Sequence, residues 1–140
     1  MGWHDAILHG VARFAEDDTS RILFDLDYIV RWVHPIRPEK YFSFWISPAT
    51  LVFDDVSELQ ADIDLNNSTA DLEIADLHRL PTGAVRADQR QWHIEGHSFD
   101  IKLCAAGYRQ YIRHPPTLTP RQSLSHAERG GFAFTESGFD

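Results

Sequence analysis

Between residues 21 and 33, Ile22, Phe24, Leu26, Tyr28, Val30 and Trp32 take every second position, and Asp25, Asp27 and Arg31 fall between them. Successive side chains of an extended chain point to opposite faces, so this spacing predicts a strand with one face in a core and one in water. Residues 7–15 alternate more weakly. The polar run Glu16-Asp17-Asp18-Thr19-Ser20 supplies a turn between the two segments, so the chain is expected to open as a β-hairpin. In His34-Pro35-Ile36-Arg37-Pro38 two prolines remove ladder donors and end the strand. The pattern restarts at Tyr41, with Phe42, Phe44 and Ile46 on one side and Tyr41 and Trp45 on the other. Aromatic residues on both faces fit a central strand, a covered second face or an exposed contact patch.

After Pro48, Ala49, Leu51 and Phe53 predict another short strand, Asp54-Asp55 a turn, and Leu59, Ala61, Ile63 and Leu65 a longer alternating segment. Asn66-Asn67-Ser68 turns the chain, residues 72–80 extend again, and residues 81–90 form a polar connection. Residues 92–95 and 98–106 read as a second hairpin through Gly96-His97. Strands spaced at about eight to twelve residues without long helical patterns indicate a mainly β fold, with α+β left open. The expected architecture is a single curled antiparallel sheet or partly open barrel, and a sandwich is the nearest rival. From Pro115 the composition shifts to Pro, Thr, Ser, Gly and His. Thr119 and Pro120 stand as helix cap and first helical residue, which predicts a short helix ending at Gly130. The remainder reads as a loosely held tail or an arm packed across the sheet. The chain thus divides into a β domain over residues 1–114 and a short helix and tail over 115–140.

A chain of 140 residues with 43% hydrophobic content supports one core. Its formal charge of −8 disfavours nucleic acid and anionic membrane surfaces and favours a basic protein partner. Cys104, the only cysteine, sits in an apolar run and reads as a small buried thiol rather than a nucleophile. With no signal-peptide pattern at the start and no run of membrane-span length, a cytoplasmic location is the expectation.

Four constellations could carry chemistry. His93-x-Glu95-x-His97 places two imidazoles and a carboxylate on one face of an extended segment and could hold a divalent metal for a metal-assisted hydrolase. Against this, Gly96-His97 reads as a turn that breaks the common face. Asp25 and Asp27 share one strand face and Asp62 and Asp64 another. If those strands pair, four carboxylates form an acidic surface for a basic partner, with Tyr41 and Trp45 as aromatic anchors. His4 and Asp5 could form a hydrogen-bonded pair with Trp3 anchored on the core. The stretch 108–114 is locally basic and aromatic and could recognise phosphate or stack on bases, but its Arg109 and Arg113 could simply neutralise acids such as Asp25 or Asp27. No catalytic residue is assigned, and no glycine-rich phosphate loop, dinucleotide fingerprint or nucleophile elbow is present. A curled sheet could also enclose a small-molecule cavity lined by Trp32, Phe42 and Phe44, and exposed aromatics on the strand at 41–46 would suit a homodimer.

The opening Trp3-His4-Asp5-Ala6, followed by a β-hairpin, resembles the start of several small bacterial domains, including some immunity proteins of polymorphic toxin systems. The stretch 107–113 is similar to the closing strand of such domains. The resemblance implies a compact acidic protein that binds and blocks a cationic toxin, with no catalysis and no active residues to carry over.

Overall fold

A computed structural model describes residues 3–66, 71–81, 84 and 86–139. Asn67 and Ser68 of the expected turn, and Thr82, Gly83 and Val85 of the expected connection, lie outside the described residues. The strands are β1 (Ile7–Glu16), β2 (Thr19–Val33), β3 (Ser43–Phe53), β4 (Ser57–Ile63), β5 (Leu72–Leu80), β6 (Arg90–Gly96), β7 (Phe99–Ala105), β8 (Tyr108–Ile112) and β9 (Thr117–Thr119). One short helix, α1 (His126–Arg129), follows. The strands form one antiparallel sheet in the order β4-β7-β6-β5-β1-β2-β3-β8, with β9 also paired to β3 and the sheet left unclosed. The mainly β, curled-sheet expectation therefore holds.

The opening hairpin turns through Asp17 and Asp18, whose φ values of 52° and 61° put both in the left-handed region that two-residue hairpin turns require. Strand β1 pairs with β5 only at Ile7 and Leu8, so this short seam joins the two halves of the sheet. The halves fold over one another. Leu8, Phe24, Leu26, Leu51 and Phe53 from one half share a core with Trp92, Ile94, Ile101 and Leu103 from the other, and the Phe53 and Trp92 rings stand 5.7 Å apart. Each fully buried side chain of this size contributes about 1.5–3 kcal/mol. Cys104 is buried as expected.

Pro48 and the helix cap differ from the sequence reading. Pro48 does not divide two strands but lies inside β3, opposite Asp27 of β2. Its other side is the point where β3 changes partner, from β9 at Phe44 to Ile46 to β8 at Ala49 to Phe53. The Pro48 carbonyl accepts there from Arg113 N–H (3.0 Å), and no ladder donor is needed from the ring nitrogen. The helix is capped by Ser125 rather than Thr119. The Ser125 hydroxyl accepts from Glu128 N–H, the Glu128 carboxylate accepts from Ser125 N–H, and Gly130 closes the helix at φ 76°. Thr119 belongs to β9.

The C-terminal segment is an arm, not a loose tail. Leu124 joins Ile29, Phe44 and Ile46 in a second apolar cluster on the face of β2 and β3 opposite the main core. Phe134 covers Gly10 so closely that a Cβ there would stand 3.1 Å from its ring.

Candidate functional site

The arm decides the fate of the most prominent acids. Asp25 and Asp27, expected on a wet face of β2, are both fully buried, because that face is covered by the C-terminal segment. This corrects the expectation of an exposed acidic surface at these two positions. The guanidinium of Arg113 donates to Asp25 (2.6 Å) and to the Thr50 hydroxyl (2.8 Å). Arg129 donates to both Asp25 oxygens (2.6 and 2.9 Å) and to Asp27 (3.1 Å). Asp27 also accepts from Leu124 N–H (2.9 Å) and pairs with the His9 ring at 2.7 Å. Ala133 N–H adds a further bond to Asp25. Burial by itself would push the Asp25 carboxyl up, but the bonds from Arg129 and Arg113 outweigh it and hold the carboxyl below its usual range. Neutralisation of Asp25 by Arg113 was legible in the sequence. Arg129 was not. Arg109 instead pairs with Asp54 (2.6 Å) and Glu136 (3.3 Å).

An acidic surface does exist, on the other half of the sheet. Registers pair Asp76 with Glu95, Glu95 with Asp100, and Asp100 with Asp62, so four carboxylates line up across β5, β6, β7 and β4. Their strand neighbours Leu77, Ile94 and Ile101 pack into or against the core, which leaves this row on the solvent face. Asp62, Asp64, Glu95 and His97 also line a surface depression of about 380 Å3. The next row carries His78, His93 and Lys102. Asp62 and Asp64 thus keep their predicted exposure but meet Asp100 and Glu95 rather than Asp25 and Asp27.

His93, Glu95 and His97 are not brought together. His93 bonds Asp100, Glu95 bonds His78 (3.1 Å), and His97, past the strand end in the β6–β7 turn, lies 3.9 Å from Glu73. Among the described residues no group of three His, Cys, Asp or Glu side chains is arranged to hold a metal ion.

Tyr41 is 81% exposed in the loop before β3, and Trp45 is partly exposed on β3 beside Leu118 of β9. Of Trp32, Phe42 and Phe44, Phe42 lines a surface depression of about 250 Å3 together with Tyr41 and Pro120. Trp32 packs edge to face on Phe42 at 5.7 Å and on Phe44 at 5.2 Å, so the rings fill one another's space.

At the chain opening, Trp3 is buried and stacks edge-on against Tyr28 at 4.9 Å. The His4 ring donates from Nδ1 to the Ala75 carbonyl (2.6 Å), and its Nε2 lies 3.4 Å from Asp5, the pairing the sequence suggested. The Ala75 carbonyl and Asp5 push the His4 imidazole up, while burial and Asp5 push the neighbouring Glu73 carboxyl up. Asp5 itself has φ 68°, and its N–H donates to the Ile74 carbonyl, which fixes the entry of the chain beside β5.

Among the described residues, no helix is long and apolar enough to cross a membrane. Comparison of the chain with protein-family models, curated proteins and solved structures returned no match. The functional reading therefore rests on this chain's own residues.

Proposed function

We propose that this chain is a non-enzymatic binding protein whose acidic face on β4, β7, β6 and β5 captures a basic protein partner. The observation that supports it is the in-register row Asp76, Glu95, Asp100 and Asp62. Like charges directly opposite one another on a sheet repel; His93 on Asp100 and His78 on Glu95 offset part of that repulsion, and a cationic partner would relieve the rest. The charge of −8 adds long-range steering toward such a partner. Toxin neutralisation of the immunity kind is one setting for this activity, in line with the Trp3-His4-Asp5-Ala6 opening. The hydrolase reading has less support, because His93, Glu95 and His97 each engage a different partner.

Titration with a small folded basic protein, such as lysozyme, tests the reading. Binding at low ionic strength should weaken steeply between about 0.01 and 0.15 M salt, as the screening length shortens from about 30 to 8 Å. Salt-independent binding, or none at low salt, would contradict it.

A further inference from the structure

We infer that the partner is captured as an added strand: an extended segment of alternating basic and apolar residues pairs with the open edge of β4. This deepens, and rests on, the acidic-face reading.

The two ends of the sheet differ. At β8, the C-terminal arm meets the far end of the edge away from β3, where Phe139 N–H donates to the Ile112 carbonyl (3.0 Å). At β4, the described residues pair only with β7. Asp64 N–H donates to the Ser98 carbonyl (2.8 Å), which fixes the phase of the ladder. Backbone groups alternate in direction along a strand, so Gln60 and Asp62 bond toward β7, while the N–H and C=O of Ala61 and Ile63 face outward. An exposed row of such groups is a template for another strand.

The side chains beside this edge specify its occupant. On the outer face an added strand would lie next to Gln60, Asp62 and Asp64, with Asp100 one strand further in. On the opposite face it would meet Ala61 and Ile63, both exposed, in line with the core residue Phe99. Basic residues at alternate positions match the first face and apolar residues the second. A second copy of this chain fits poorly. Antiparallel pairing of two β4 edges within the usable stretch, about Asp62, sets the two Asp62 carboxylates directly against each other, a repelling pair. The upstream end of the edge is closed to pairing by the irregular register between Ser57 and Gln60 and by Glu58 at φ 53°. The docking segment is therefore confined to the stretch from Gln60 onward.

The probe is an acetylated octapeptide of alternating lysine and valine, titrated onto the intact protein alongside lysozyme. Amide exchange at Ala61 and Ile63 should slow on peptide binding. Ala61→Pro, which removes an outward N–H and no bond to β7, should weaken the peptide by about tenfold or more and leave lysozyme binding unchanged. A peptide N-methylated on its valines, the residues whose N–H groups would face Ala61 and Ile63, keeps its charge but cannot form the ladder, so its binding to the unaltered protein should fall by a similar factor even if the proline variant folds poorly. Equal binding of the methylated and unmethylated peptides, with lysozyme still bound, would overturn strand addition and leave the acidic-face reading intact. Loss of both peptide and lysozyme binding at low salt would overturn both.

Discussion

Arg129 of α1 donates two hydrogen bonds to the carboxylate of Asp25 on β2, 104 residues away in sequence, and both side chains are essentially withdrawn from solvent. This pair, with Arg113 and Asp27, fastens the C-terminal arm over the sheet. The cost of dehydrating such charges is repaid only while every partner is present.

Removal of one partner should be severe. Asp25→Ala leaves Arg113 and Arg129 buried without their shared carboxylate, and a loss of about 3–5 kcal/mol is expected in urea unfolding. Arg129→Ala should loosen the arm before the sheet, so limited proteolysis should cleave first within residues 120–139. Cleavage no faster than in the unaltered protein would show that apolar contacts of Leu124 and Phe134 hold the arm by themselves.

Acid should unfasten the same contact. The Asp25 carboxyl is held below its usual range, so the folded state binds its proton less readily than the unfolded chain. Its stabilising contribution is complete above the unfolded value of about 3.9 and is lost as pH falls through the lower folded value. Stability measured against pH should therefore decline below about pH 4, with a shallower decline in Asp25→Asn. Identical acid profiles for the two proteins would contradict this assignment.

Gly96 is needed for space. A Cβ there would lie 2.3 Å from the ring of Phe99, a buried core residue three positions on, across the β6–β7 turn. Gly96→Ala should displace that ring and cost about 1–3 kcal/mol. Gly107→Ala, where nothing stands within 4 Å, should cost far less. Equal midpoints for the two variants in thermal unfolding would count against the packing described.

The strands were readable because alternation reports which side chains share a face, and 72–80 matched β5 to the residue. Alternation does not report what covers a face. Asp25 and Asp27 read as solvent-facing because a carboxylate opposite an apolar residue looks the same under water or under an arginine. The covering arm carries no period, so Arg129 left no signal of its kind, and the capping box Ser125-x-x-Glu128, which marks the true helix start, was passed over in favour of Thr119-Pro120. Pro48 misled for a related reason. A proline ends a strand only where its missing N–H is required, and the exchange of β9 for β8 along β3 depends on pairings distant in sequence. Asp62 and Asp64 were identified correctly as exposed, but their neighbours Glu95 and Asp100 are set by the order of strands, which spacing alone leaves open.

The account rests on where the charge lies, not only on how much there is. Two variants of equal net charge separate these: Asp62→Lys with Glu95→Lys and Asp100→Lys on the acidic row, and Glu16→Lys with Asp17→Lys and Asp18→Lys at the β1–β2 turn. Association of each with lysozyme at low salt is the most direct measurement. The account predicts that the row variant associates about tenfold or more slowly than the turn variant. Equal rates for the two would contradict it, leaving net charge alone as the source of attraction.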